Sequence, residues 1–458
     1  MQNEDPRTNR RKLSPLKKVL YAGFAAGATL LLCVMTILVF PNPLVNRFIK
    51  PRMTTAFAEA YPAYAIRIGH MNCSILKNRL ELDSVVLKAV DGTISSTIGT
   101  FSVSAIGWMH LLWGGSLQPV DFANAVVDAR DIMLNFPQSH YELRCKRLRV
   151  VVPDSQAVAD ALELHPLAGD EEFFRGSKIR STRFIFVTPQ CNVTGLACLA
   201  LLEGKSCRTR SIRVHDPFLD VLINKDKAAS KDSSSPLMPN EVLSSLEGAL
   251  QVDSLSIMNG RLKYGERFAI GATPALITLD SMEMLAEGIA NHGEVGAAYV
   301  VHAQGTFMKA GMMKVRMVIP VASTEFSYKY SGSLSGMDLG ALNAFLETAE
   351  QMRIKAGFLQ TATFDIDVVS GRASGTVRAV YRNLTIAAIN KHTGSEKGFT
   401  DGIASFIANT FKIRGTNVPD KSGAIKIGKV KYKRQYDDPF FRFTWFALRS
   451  GVADVVGF

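Results

Sequence analysis

Histidine is scarce in this 458-residue chain: the eight copies are scattered and no H-E-x-x-H occurs. A histidine-built metal centre is therefore not expected. No P-loop and no G-x-G-x-x-G fingerprint is present, which excludes the common nucleotide-binding classes. No stretch interleaves aromatic and basic residues in the manner of a nucleic-acid module, so no nucleic-acid partner is expected. Cysteine is sparse as well, with six copies. Cys33 falls in the first apolar run. Cys73, Cys145, Cys191, Cys198 and Cys207 are odd in number, so at least one is unpaired or pairs between chains. Cys191 with Cys198 or Cys207 is one arrangement, and spacing alone does not decide it.

The motifs that superficially suggest catalysis fail on chemistry. Gly332-Ser333-Leu334-Ser335-Gly336 has the outline of a nucleophile elbow, but its central position is Leu334. Ser74-Ile75-Leu76-Lys77 fits S-x-x-K without its companion motifs. Asp365-Ile366-Asp367 has D-x-D spacing, yet on a strand both carboxylates face solvent. The sequence predicts no enzyme and no cofactor.

One long apolar run is present. Leu20 to Phe40 carries no charge and, at ~1.5 Å per residue, spans ~30 Å, one bilayer core. Pro41 and Pro43 end it. Arg7, Arg10, Arg11, Lys12, Lys17 and Lys18 precede it, against Arg47, Lys50 and Arg52 beyond, which places the N-terminus in the cytoplasm. The apolar core exceeds that of a signal peptide, and the nearest A-x-A, Ala56-Phe57-Ala58, lies well past it. A retained single span over 19–41 is expected, with a basic tail over 1–18. No later segment is apolar enough to add another span. Net charge is +12, which suits anionic lipid and equally suits solubility.

Beyond the span, alternation of period two dominates. Phe101 and Val103 face one way and Ser102 and Ser104 the other. Phe364, Ile366 and Val368 alternate with Asp365 and Asp367; Val377 and Tyr381 repeat the pattern. Ile425 and Ile427, then Val430 and Tyr432, read as one face with a bulge at Gly428. One apolar and one polar face indicates antiparallel sheet. Helices are expected over Asp154–Leu164, from Asn240 through Leu250, and over Asp401–Phe411. The stretch 225–240 reads as a linker between β-rich regions 42–224 and 241–458. Leu80 to Leu87 echoes Ile277 to Met284, and Ser211 to Val221 has the same flavour. The aromatic C-terminus, Pro439 to Phe458, reads as a helix that closes the sheet or lies on a membrane.

In this order the features resemble the AsmA-like superfamily of Gram-negative envelope proteins: basic tail, one span, then β-rich repeats. The resemblance is carried by Leu80 to Gly92 and Phe101 to Val103, by Ser211 to Val221 with Asp216-Pro217, and by Leu255 to Tyr264 with an Asn259-Gly260 turn. It is strongest in Gly375 to Leu384, Asn417-Val418-Pro419, Gly428 to Arg434 and Phe441 to Gly451. It implies a mainly β fold: an elongated, curved antiparallel groove with a few short helices, held at the inner membrane with its bulk in the periplasm. It also implies a lipid partner, phospholipid above all, and outer-membrane or periplasmic protein partners. Phe101, Val103, Phe364, Ile366, Val368, Val377, Tyr381, Ile425 and Ile427 are the expected groove-lining residues, and Leu20 and Phe40 bound the anchor. Roughly 25 strands of ~8 residues would make a sheet of ~120 Å. Lipid handling is the first expectation, an envelope assembly scaffold the second, and a membrane-anchored enzyme such as a glycosyltransferase a remote third.

Overall fold

The computed structural model describes residues 29, 42–74, 77–106, 119–204, 206–228, 237–246, 248–293, 297–321, 326–389, 413–436 and 438–457. The expected span over 19–41, with Leu20 and Phe40, lies outside the described residues apart from residue 29; so does the expected helix Asp401–Phe411. Among the described residues no helix is long and apolar enough to cross a membrane.

Among the described residues the chain is mainly β, with 17 strands in one large sheet. The first seven form an antiparallel meander: β1 (Tyr64–Ser74), β2 (Arg79–Ala89), β3 (Ser95–Ser104), β4 (Val126–Phe136), β5 (Tyr141–Val151), β6 (Gln156–Pro166) and β7 (Ser181–Thr194). β8 (Ser206–His215) and β9 (Phe218–Asn224) are two halves of one strand broken at Asp216-Pro217, and both pair with β7. Both also pair in parallel with β10 (Ala249–Arg267), the one reversal of the pattern. The meander then resumes through β11 (Ala275–Ala290), β12 (Ala298–Phe307), β13 (Gly311–Pro320), β14 (Tyr328–Asp338), β15 (Met352–Val369), β16 (Arg372–Ala388) and β17 (Ile427–Lys433). With β8 and β9 sharing a position, the sheet runs ~70 Å at ~4.8 Å per strand, shorter than expected because β10, β11, β15 and β16 are long. The boundary expected at 225–240 falls between β9 and β10, which belong to the same sheet.

A seam crosses the first half of this sheet. At one height in every strand a residue drops out of the pairing ladder: Gly69, Ser84, Gly99, Asp131, Lys146, Ala161 and Pro189 in β1 to β7. Asp216, Asn259 and Ser281 continue it. Ser84, Asp131, Ala161, Asp216, Asn259 and Ser281 have left-handed φ between 46° and 54°. Asp, Asn and Ser tolerate this conformation because their short polar side chains bond locally. Each such residue bends its strand and slips the side-chain phase by one. The Asn259-Gly260 pair is therefore a kink within one continuous strand, not a hairpin turn. The slip at Ala161 also explains why Asp154–Leu164 mimics a helix. Ala157 and Ala159 lie before it and Leu162 and Leu164 after it, all in strand β6.

Helices close both edges. A helical run over 42–49 leads into α1 (Lys50–Ala60) and lies antiparallel to β1. Asn42 Oδ1 accepts from Cys73 N (2.9 Å), and the Asn46 amide exchanges two hydrogen bonds with the Met71 backbone. Lys50 Nζ donates to Gly69 O. Four helical residues rise ~6 Å and two strand residues ~6.6 Å, so one helix face tracks the strand edge. Three short helices follow: α2 (Asp170–Arg175), α3 (Cys198–Leu202) and α4 (Pro239–Ser244). In α4 the backbone N–H of Met238 is bonded by Glu241 and Asn240 lies inside the first turn, so Asn240 is not the cap and the helix stops well short of Leu250. The last two are α5 (Asn343–Glu350) and α6 (Phe440–Val456).

α6 covers the apolar face of β14 to β17. Phe443, Ala447 and Val455 are fully buried against Tyr330, Ile366, Val377 and Val430. The closest approach is Gly451 over Gly428; a Cβ on Gly428 would meet Gly451 O at 2.0 Å. Gly428 pairs in register with Val377, so no bulge occurs there. Lys429 N and Lys431 N, on the free side of β17, donate to Asp454 Oδ2 (2.7 Å) and Ser450 Oγ (3.2 Å) of α6. Arg449 ties α6 to Glu350 of α5.

Candidate functional site

Because the phase slip recurs at the same height in successive strands, apolar residues stay on one face along their whole length. One row of directly opposed residues can be followed across the entire sheet. It starts Met71, Leu82, Phe101, Ala129, Leu148, Ala159, Cys191, Val214. It continues Ile257, Met284, Ala303, Val315, Gly332, Phe364, Val377, Gly428. No member is charged. The adjacent row on the same face, from Cys73, Leu80 and Val103 through Ile212 and Leu255 to Ile366 and Val430, is equally apolar. The row between them points to the opposite face and carries Asn72, Glu81, Ser102, Asp128, Arg149, Asn192 and Arg213.

Burial divides the first row into three. Met71 and Leu82 are buried under the helical run that carries Val45. Phe364, Val377 and Gly428 are buried under α6. Leu148 through Gly332, on nine strands, are only half-buried. A cavity of about 590 Å³ on this middle stretch is lined by Ile257, Met284, Ala303, Val315 and Gly332 together with residues of the two flanking rows, among them Glu283, His302, Gln304, Lys314 and Arg316. That volume lies within the ~300–1,000 Å³ of small-molecule sites.

Burial pushes the thiols of Cys145 and Cys191, both on this face, above their ordinary pKa, so they are neutral hydrophobes rather than nucleophiles. Among the described residues no cluster of His, Cys, Asp or Glu could hold a metal ion. All five described cysteines are free thiols, so neither arrangement of Cys191 with Cys198 or Cys207 forms. Asp365 and Asp367 are exposed and pair with Lys329. Charge is concentrated on the other face, where Arg183 is buried between Asp170 of α2 and Asp220 of β9.

The expected lining residues separate by location. Phe101 and Val103 lie on the apolar face near the β1 end. Phe364, Ile366, Val368, Val377 and Tyr381 are core residues covered by α6 and its neighbours, not an open trough. Ile425 precedes β17 and is outside its ladder. Ile427 pairs with Arg378 on the opposite face, because the unbroken register places Gly428, Val430 and Tyr432 inward. The half-buried residues that the alternation missed, Leu148, Val214, Ile257 and Met284, all sit two or three residues from a phase slip. The small polar residues at the slips were the available signal.

No protein-family model matches this chain, and no curated protein sequence matches it.

Proposed function

We propose that this chain handles lipid. It is anchored at a bacterial inner membrane through residues 19–41, with the sheet in the periplasm, and it shelters acyl chains on the open middle of its apolar face. One observation carries the reading: an uninterrupted apolar row that is buried under helices at its two ends and only half-buried between them, where α5 packs against β11. Antiparallel sheets normally bury one face against another layer, and an apolar face left half-open is a binding surface. Each methylene moved from water onto it contributes ~0.8 kcal/mol, so one long chain accounts for micromolar affinity or better after the cost of ordering. The AsmA-like resemblance supports the same role in phospholipid transport or outer-membrane homeostasis.

A second reading, a non-catalytic scaffold for envelope assembly, is favoured by the C-terminal half. There α6 fills the face that an end-to-end groove would need open. Purification of the full chain in mild detergent, followed by mass spectrometry of bound lipid, separates the two. Stoichiometric lipid that is lost on Ile257→Asp supports lipid handling; absence of lipid in the wild type refutes it and leaves the scaffold.

A further inference from the structure

We propose that one end of the sheet, the corner carrying Val120, Leu201 and Leu202, docks on the surface of a phospholipid bilayer. The proposal rests on reading residues 19–41 as a membrane span. Asn42, Asn46 and Lys50 contact Cys73, Met71 and Gly69 in that order, so the described chain enters beside the C-terminal end of β1 and descends toward its start. A span that ends at residue 41 delivers this end of the strands to the headgroup layer.

Antiparallel order brings other segments to the same end. The β1–β2 turn, the short 3-10 turn Pro119–Phe122 that precedes β4, and helix α3 between β7 and β8 all lie there. The 3-10 turn and α3 are packed beside each other. Val120 is 63% exposed, Leu201 46% and Leu202 59%, although Cys198 of the same helix is buried. Nothing in the described fold covers them. Lys77, Arg208 and Arg210 are exposed at this end and would meet anionic headgroups. Apolar residues stand out at the other end too, with Val90 73% exposed. Exposure alone therefore does not choose between the ends; the point of chain entry does. The helical run 42–60 is ~28 Å long, and an 11-residue strand ~36 Å, which sets Val90 about 30 Å from the bilayer.

The test uses the full chain reconstituted into vesicles of phosphatidylethanolamine and phosphatidylglycerol. The photoreactive residue p-benzoylphenylalanine replaces Leu201, Leu202, Val90 or Val214, one at a time, and lipid adducts are counted by mass spectrometry. Variants are used only where the thermal midpoint matches that of wild type; Leu201 and Leu202 are independent reporters of the same corner. Docking predicts at least tenfold more adduct at Leu201 and Leu202 than at Val90. Equal adduct at the two ends, or more at Val90, overturns it. Val214 reports on the open face separately. Adduct there but not at Leu201 or Leu202 overturns docking and leaves lipid handling intact, whereas adduct at the corner with none at Val214 does the reverse.

Discussion

Replacing Gly428 by alanine tests whether α6 is seated on β17 as described. The added Cβ would lie 2.0 Å from Gly451 O and 2.7 Å from Val455 Cγ2, where ordinary contact begins near 3.4 Å. Both the carbonyl and the strand are backbone, so no rotamer change relieves the clash and α6 must retreat by ~1.5 Å. Overpacking of this kind costs ~1–3 kcal/mol. The retreat also stretches the bonds from Lys429 N to Asp454 and from Lys431 N to Ser450, and the first, to a carboxylate, is worth ~1.5–3 kcal/mol. A loss of about 3 kcal/mol follows. With a urea dependence of ~1–3 kcal/mol/M, the midpoint falls by ~1–3 M without a change of slope. Partial undocking should also raise the fluorescence of 8-anilinonaphthalene-1-sulfonate, because Val377 and Val430 lie beneath the contact. Gly169→Ala is the control: a Cβ there meets nothing within 4 Å and φ is −64°, so stability stays within ~0.5 kcal/mol. If Gly428→Ala is as stable as Gly169→Ala, the helix does not close this face and the division into covered and open stretches is wrong.

The same division predicts opposite responses to a buried charge. Ile366→Asp, at a position with no exposure, should cost more than ~4 kcal/mol, whereas Ile257→Asp, on the half-open stretch, should cost ~1–2 kcal/mol and abolish bound lipid; denaturant curves of equal midpoint would contradict this. Burial pushes the phenols of Tyr299 and Tyr381 up to about 12, and those of Tyr264, Tyr328 and Tyr330 higher still. Below pH ~10 these groups are protonated in both states and contribute nothing to the pH dependence. Above it the unfolded chain loses protons first, so stability falls by up to ~1.4 kcal/mol per pH unit for each group. Absorbance at 295 nm should show these five tyrosines ionising only with cooperative unfolding; a single smooth titration of all 11 would refute it. Asn259→Val places a β-branched residue at φ 54° and should destabilise by ~1–2 kcal/mol, while Asn259→Gly should be neutral or stabilising in the same melts.

The β character was legible because half of the ladder obeys simple alternation: Phe101 with Val103, and Phe364, Ile366 and Val368, share a face as the spacing says. What alternation could not convey was whether anything lies on that face. The aromatic C-terminus supplied both a partner for the sheet and a candidate membrane contact, and only the fit of Gly451 to Gly428 decides for the sheet. The kinks were hidden for a related reason. Asp83-Ser84 and Asp280-Ser281 stand at matching places in the Leu80 and Ile277 segments, and Ser84 and Ser281 both adopt left-handed φ. The echo between those segments was therefore a conserved backbone bend within the chain, visible as letters but not as geometry. Asn259-Gly260 misled because a dipeptide that commonly turns a hairpin also serves a kink. Gly428 misled because Ile425 and Ile427 imply a phase that the register from Arg372 to Arg378 does not allow.

The treatment of the two edges bears on how such a sheet is used. An open edge presents unpaired N–H and C=O groups and invites another strand. Here the Asn46 amide satisfies both backbone groups of Met71 on the β1 side. Asp454 and Ser450 take the N–H groups of Lys429 and Lys431 on the β17 side. Neither edge can accept a strand from a second protein without first displacing a helix. Growth of the sheet by edge-to-edge addition is therefore opposed at both ends, and a sheet of ~70 Å stays that length. Asn46→Ala should reopen the β1 edge. It removes two hydrogen bonds to a part-buried strand, worth ~1–3 kcal/mol together, and leaves the groups of Met71 unpaired. The variant should lose stability by that amount and show more concentration-dependent self-association than the wild type in sedimentation velocity. A variant that loses stability yet remains monomeric at every concentration would show that the edge is guarded by something other than the Asn46 amide. The guarded edges would then no longer argue that the unit works alone, as a finite carrier rather than one link in a longer conduit.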